Sequence, residues 1–149
     1  MTIRRATRDD VPAIVALLAD DMLGAKRERN ETPLPRAYYQ AFDAIAADPN
    51  HELLVAQLEG RILGTLQLAF LPGLSRQGSW RAQIEAVRVA ANARGHGVGE
   101  ELVRYAVERA REKGCKLVQL TSDKQRRDAL RFYERLGFVP SHEGMKLAL

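Results

Sequence analysis

The sequence predicts a single domain of mixed α/β class, whose mostly antiparallel sheet contains one parallel strand pair. Residues 52–68 form two apolar strand-like segments around the tight turn Glu59-Gly60, which is typical of an antiparallel hairpin. A helical stripe over 97–113 separates two further strand-like segments, 80–89 and 116–121, and such a connection makes its strands parallel neighbours with a right-handed crossover. The 149 residues suit one domain, 1–149, with a full core.

The N-terminal third predicts a short strand at 2–7, a helix after Asp9, a polar loop at 24–35 and a second helix at 36–47. Asp9 is a favourable N-cap, and it places Pro12 in the first helical turn, where the missing N–H is not needed. Pro33 and Pro35 interrupt the loop, so we expect it to be exposed.

In the C-terminal third, the sequence predicts that the 97–113 helix ends at Gly114 and that a strand follows at 116–121. It then predicts a helix to Leu136 and two last short strands at 138–139 and 145–148. Ser122 and Gln125 have the spacing of a capping box, so we expect the last helix to begin there.

Composition and charge exclude several functional classes. Hydrophobic residues make up 46% and charged residues 28% of the chain, and no apolar run approaches the ~20 residues that a membrane span needs. No apolar segment follows the charged N-terminus, and the single Cys115 cannot form an internal disulfide, so we expect a cytoplasmic protein with no membrane partner. Three scattered histidines lack metal-ligand spacing, which predicts no metal.

The excess positive charge lies in the C-terminal part. Residues 90–149 carry 12 basic and 8 acidic side chains, whereas residues 1–89 carry 11 of each. Because basic residues alternate with acids and no nucleic-acid-binding motif is visible, we expect an anionic small ligand there and no nucleic acid.

A glycine-rich run, Arg94-Gly95-His96-Gly97-Val98-Gly99, opens the helix at 97–113. Glycines leave backbone N–H groups accessible, and the positive end of a helix dipole attracts anions, so the run indicates phosphate binding. A flexible turn that only needs positive φ is the alternative.

Three motifs together resemble the GNAT (GCN5-related) N-acetyltransferase family. They are Val87-Arg88-Val89, the glycine run, and Ala129-Leu130-Arg131-Phe132-Tyr133-Glu134-Arg135-Leu136-Gly137-Phe138. The resemblance implies the acyl-CoA N-acyltransferase fold, with a splayed parallel strand pair flanked by helices, and acetyl-CoA as cosubstrate. It also implies that the cofactor-binding residues are Val87, Arg88, Val89, Arg94, Gly95, His96, Gly97, Val98, Gly99 and Arg126. Arg126 stands where many relatives have asparagine, and its alternative role is a solvated basic first turn.

The resemblance also suggests two catalytic residues. Glu85 precedes the glycine run, between Ile84 and Ala86, and we expect apolar surroundings there that would suit a water-mediated general base. Tyr133 matches the family tyrosine that protonates the leaving sulfur. The alternatives are a surface carboxylate paired with Arg88 or Arg81, and a packed core aromatic.

The predicted activity is therefore direct acetyl transfer from acetyl-CoA to a primary amine, of a small molecule rather than a protein. Acidic residues in the wider loop segment at 20–36 would attract a cationic acceptor; they are Asp20, Asp21, Glu28 and Glu31. A non-catalytic CoA-binding regulatory module and a protein or peptide N-acetyltransferase remain alternatives. A homodimer is compatible with the resemblance, although no residue identifies an interface.

Overall fold

The structure is a computed structural model that describes all 149 residues. Its residues group into two compact units, Met1–Gln119 and Leu120–Leu149. The strands are β1 (Thr2–Arg5), β2 (His51–Leu58), β3 (Arg61–Leu71), β4 (Arg81–Val89) and β5 (Leu117–Gln119). The helices are α1 (Val11–Ala19), α2 (Arg36–Ala47), α3 (Val98–Glu112) and, in the second unit, α4 (Arg127–Arg135). None of the helices has both the length and the apolar character that crossing a membrane requires.

The sheet follows chain order, and its last strand pair is parallel. Strands β1 to β4 are antiparallel neighbours, whereas β5 runs parallel to β4 over three residue pairs, from Arg81 with Leu117 to Gln83 with Gln119. The β2–β3 turn has φ of 50° at Glu59 and 77° at Gly60, and two positive φ values match the twist of the flanking strands. The predicted hairpin and mixed sheet are confirmed.

Helix α3 packs on one face of the sheet through its buried residues, which are Val98, Leu102, Val103, Ala106 and Ala110. Gly64 of β3 permits this close approach, because a Cβ there would lie 2.9 Å from Leu102 Cδ1 and 3.0 Å from Val98 Cγ1. The opposite face buries Val55 and Thr65 and is the one on which α1 and α2 pack.

A buried carboxylate joins α3 to the sheet. Glu52 of β2 is 1% exposed, and its oxygens accept hydrogen bonds from Arg109 Nε (2.9 Å) and from Arg5 (2.9 Å). Burial alone would raise the pKa of the Glu52 carboxyl, but the hydrogen bonds and charges of Arg109 and Arg5 outweigh it and hold that pKa below its ordinary value. The C-terminal half of α3 is thereby fixed over β2.

The ends of two helices differ from the prediction. Asp10, and not Asp9, organises the start of α1, because its carboxylate accepts the Thr7 N–H at 2.7 Å and the Arg4 guanidinium at 2.8 Å. Helix α4 begins at Arg127, since Asp123 accepts the Gln125 N–H at 2.8 Å and holds the preceding residues in a turn. The capping box predicted at Ser122 was therefore wrong.

The two last predicted strands, at 138–139 and 145–148, do not form. Neither segment pairs with a strand, and Met145 and Leu147 are 92% and 87% exposed. An alternating apolar pattern forms a strand only where a partner strand and a buried face are available.

Candidate active site

A β-bulge at Ala86 interrupts β4 beside the glycine run. Thr65 pairs with Arg88 and Gln67 pairs with Glu85, so a two-residue step on β3 corresponds to a three-residue step on β4. The extra residue is accommodated by Ala86, whose φ of 53° is uncommon for a residue with a side chain. The bulge changes the direction in which the last residues of β4 present their backbone.

Beyond the bulge, β4 has a backbone edge that no strand covers. The Ala90 N–H donates to Leu63 O at 2.8 Å, so alternate residues, Val87 and Val89, direct their backbone polar groups away from β3. Pairing with β5 ends at Gln83. The carbonyls of Val87 and Val89 instead accept from the side chains of Arg88 (2.9 Å) and Arg94 (3.3 Å).

Arg88 also forms a nearly buried ion pair with Asp21. Its Nε lies 2.9 Å from Asp21 Oδ2, and each side chain is 13% exposed. The other Asp21 oxygen accepts the N–H groups of Leu23 (2.8 Å) and Gly24 (2.6 Å), which fixes the loop after α1 to the end of β4. The Arg88 side chain is thus held by Asp21 and is not the partner of Glu85.

The glycine run leads directly into α3. Gly95 and Gly97 both have φ of 81°, nothing lies within 4 Å of a Cβ built on either, and Gly97 precedes the first helical residue. Residues 94–97 are exposed, whereas the Val98 side chain is buried. The N–H of a first helical residue such as Val98 has no partner within its own helix. Arg94 reaches the Asp20 carbonyl at 3.3 Å. Exposed N–H groups, a helix N-terminus and a guanidinium together fit a diphosphate.

Glu85 lies on the sheet face where α1 and α2 pack, because it pairs with Gln67, two positions from the buried Thr65. The expectation of apolar surroundings was wrong: Glu85 is exposed, and Gln83 Nε2 donates to its Oε1 at 2.9 Å. Gln119 Nε2 donates in turn to Gln83 Oε1, also at 2.9 Å. An amide side chain, rather than an arginine, therefore donates to this carboxylate.

Tyr133 and Arg126 belong to the second unit. The Tyr133 ring packs edge-to-face against Phe132, with centroids 5.0 Å apart, and against Phe138, at 5.8 Å. Arg126 immediately precedes α4, and its N–H donates to Asp123 O at 2.9 Å. Tyr133 thus takes part in an aromatic cluster. This is the packing role that the sequence analysis gave as the alternative to proton donation.

Three of the loop carboxylates expected to attract a cationic acceptor are paired within the protein. Asp21 pairs with Arg88, Glu28 lies 3.5 Å from Arg27 and accepts the Tyr38 hydroxyl, and Glu31 lies 2.7 Å from Arg29. The loop therefore offers less uncompensated negative charge than its sequence indicates.

Burial raises the pKa of the Cys115 thiol, which disfavours a thiolate nucleophile.

A sequence model of the acetyltransferase (GNAT) family matches residues 14–138. The chain belongs to this family. It is 31% identical over 140 residues to an aminoalkylphosphonate N-acetyltransferase of Salmonella typhimurium (strain LT2), covering 94% of this chain and 86% of that protein. It is 39% identical over 93 residues to a glucosamine 6-phosphate N-acetyltransferase of Trypanosoma brucei brucei, covering 62% of this chain and 61% of that protein.

Among solved structures, the chain resembles a transcriptional regulator from Bacillus halodurans C-125, with a TM-score of 0.98, 57% identity and 99% of each chain covered. The fold and family predicted from the sequence are confirmed, and the chain is a GNAT-type acyltransferase. Members of this family generally use acetyl-CoA as cosubstrate.

Sequence reasoning missed Gln83 and Gln119 as components of this region, and it assigned Asp21 to attraction of the acceptor and not to an ion pair with Arg88. Gln83 and Glu85 are two residues apart on a strand, and that spacing could have indicated that they share a face. The pairing of Gln83 with Gln119, and of Arg88 with Asp21, depends on the tertiary fold and has no comparable sequence signal.

Proposed function

We propose that this chain transfers an acetyl group from acetyl-CoA directly to the primary amine of a small molecule. The observation that carries the proposal is the uncovered backbone edge at Val87 and Val89, which ends at an exposed glycine run on a helix N-terminus. An extended amide chain that ends in a diphosphate matches both parts.

In this proposal the backbone N–H groups of residues 95–99 hold the diphosphate, and Arg94 adds positive charge. The backbone of Val87 and Val89 hydrogen-bonds the extended pantetheine arm as a neighbouring strand would. From the family resemblance, we propose that Arg126 adds a further positive charge for the cofactor. The bound thioester supplies the acetyl group.

Glu85 and Tyr133 divide the proton transfers. The acceptor ammonium gives one proton, through a water molecule, to the Glu85 carboxylate, and the neutral amine then attacks the acetyl carbonyl. The C–N bond forms, the C–S bond breaks, and the leaving sulfur takes its proton from the Tyr133 hydroxyl. The acylated nitrogen still carries one proton more than an amide, and it returns that proton through solvent to the Tyr133 phenolate. The exposure of Glu85 supports contact with water, and direct attack needs no acyl-cysteine intermediate.

For the acceptor we propose an amine that also carries a phosphonate or phosphate group. The names of two relatives describe such acceptors, an aminoalkylphosphonate and glucosamine 6-phosphate. In the loop after α1, Arg27 and Arg29 pair with Glu28 and Glu31, so the exposed Lys26 carries the positive charge that would favour an anionic group near the amine.

The test is release of free CoA thiol from acetyl-CoA with 2-aminoethylphosphonate, glucosamine 6-phosphate and, as matched controls, ethylamine and glucosamine. The proposal predicts turnover with at least one phosphorus-containing amine, at a kcat/KM at least tenfold above that of its control. Equal rates with and without the phosphorus group would contradict the acceptor class, and no turnover with any amine would contradict the activity.

Catalytic roles are tested by Glu85→Gln and Tyr133→Phe, with Glu108→Gln and Tyr105→Phe on the outer surface of α3 as matched controls. We expect Glu85→Gln to lower kcat by about 100-fold or more, a typical contribution of general-base catalysis. Tyr133→Phe should lower kcat by about tenfold or more, and both controls should retain the wild-type rate.

A second candidate function is that of a CoA-binding regulatory module without turnover. The 57% identical structure of a transcriptional regulator favours it. Calorimetry and the thiol-release assay together distinguish the two functions. Tight CoA binding with no thiol release for any amine tested would support the regulatory module.

A further inference from the structure

Two glutamine side chains form a hydrogen-bonded row with Glu85 across β4 and β5. Gln119 Nε2 lies 2.9 Å from Gln83 Oε1, and Gln83 Nε2 lies 2.9 Å from Glu85 Oε1. Gln83 and Gln119 are paired in the parallel register, and Glu85 is two residues beyond Gln83 on the same strand face. The row therefore rests on sheet geometry and not on a loop.

Hydrogen-bonding chemistry determines which end of each carboxamide faces its neighbour in this row. An ionised carboxylate only accepts hydrogen bonds, so Gln83 must present its NH₂ group to Glu85. The Gln83 carbonyl oxygen then points away from Glu85, and Gln119 must present its own NH₂ group to it. Both amides thus have one favourable orientation as long as Glu85 is ionised.

We infer that Gln83 is a positioning residue for Glu85 and that Gln119 supports it. This inference rests on the proposed role of Glu85 as general base. Gln83 holds Oε1 and so restricts the rotamers of an exposed side chain that would otherwise move freely, which leaves Oε2 for the proton of the acceptor. Gln83 itself need not touch the reacting atoms.

A positioning role has a specific kinetic consequence. Methionine is similar in length to glutamine but has no N–H donor, so Gln83→Met removes the contact and largely keeps the volume. We expect kcat to fall by about five- to tenfold, because a hydrogen bond to an exposed charged group contributes modestly. The KM for the amine should stay within about twofold of the wild-type value. Gln119→Met, which acts through Gln83, should lower kcat by about two- to threefold.

The decisive experiment is a double-mutant cycle of Gln83→Met and Glu85→Gln, with steady-state kinetics on the best acceptor. If Gln83 acts through Glu85, then Gln83→Met will lower the residual rate of Glu85→Gln by less than about twofold. Gln67→Met, on the residue that pairs with Glu85 from β3, removes a carboxamide from the same face outside the row and should show no such coupling. Thermal unfolding of every variant shows that it is folded.

The outcomes separate the two proposals. A slow Glu85→Gln variant together with a Gln83→Met variant of wild-type kcat would overturn the positioning role alone. An equal loss from Gln83→Met in the presence and absence of the Glu85 carboxylate would also overturn it, because the effect would not pass through Glu85. A Glu85→Gln variant with the wild-type rate would overturn the proposed base and the positioning role with it.

Discussion

Replacing the buried carboxylate of Glu52 should destabilise the protein strongly. The Glu52 side chain is 0% exposed and that of Arg109 is 22% exposed, so Glu52→Gln leaves a mostly buried guanidinium whose remaining counter-charge is the exposed Glu112. Loss of one partner of a buried ion pair typically costs 3–5 kcal/mol. Partial exposure of Arg109 places the expected loss near the lower end, at about 3 kcal/mol, and lowers the Tm by about 6–12 °C for a chain of this size.

Urea unfolding measures this loss, and Glu108→Gln provides the matched control. Glu108 pairs with Arg111 on the same helix, but these side chains are 62% and 68% exposed, so we expect a change within about 0.5 kcal/mol. A loss below about 1 kcal/mol for Glu52→Gln, or equal losses for both variants, would refute the reasoning.

The same carboxylate gives a pH dependence with a definite sign. The pKa of Glu52 in the folded protein lies below its ordinary value of 4.5, so its contribution to stability is complete above about pH 4.5 and is lost as the pH falls through the folded pKa. The difference in unfolding free energy between wild type and Glu52→Gln should therefore shrink on acidification. A difference that is constant or grows below pH 4.5 would contradict this assignment.

Three further substitutions, with Gly60→Ala as a matched control, test how the glycine run is held. Gly64→Ala should lower the unfolding free energy by about 1–3 kcal/mol in urea titrations, because its Cβ would meet Leu102 at 2.9 Å. Gly97→Ala and Gly60→Ala both force alanine to positive φ and should destabilise similarly, by about 1–2 kcal/mol, yet only Gly97→Ala should weaken CoA binding in calorimetry. Asp21→Asn should raise the proteolysis rate of the loop after α1, since Arg88 loses its ion pair; an unchanged rate would contradict that anchor.

The long periodic elements could be predicted from the sequence because their signals are local. Helix α2 spans Arg36–Ala47 as predicted, and the helix predicted at 97–113 is observed as α3, Val98–Glu112. Gly114 ends α3 with φ of 79°, and the Cys115 N–H then donates to Ala110 O at 2.9 Å, as expected for a glycine after a helix C-terminus.

Features that depend on tertiary packing could not be predicted. The sequence around Ala86 looks like an ordinary strand. The bulge there appears only in the pairing, where a two-residue step on β3 lies opposite a three-residue step on β4. The carboxamide row depends on the register of a parallel pair three residues long, which no periodicity encodes. The apolar alternation at 145–148 was misleading because no strand pairs with that segment.

The assignment of acetyl-transfer chemistry to this chain is tested most directly by the N-acetyl product itself. Purified protein would be incubated with acetyl-CoA and 2-aminoethylphosphonate or glucosamine 6-phosphate, and the product measured by mass spectrometry. We expect the acetylated amine from the wild-type protein and at least about 100-fold less of it from Glu85→Gln in the same time. Saturable CoA binding without acetylated product from any amine would contradict the account.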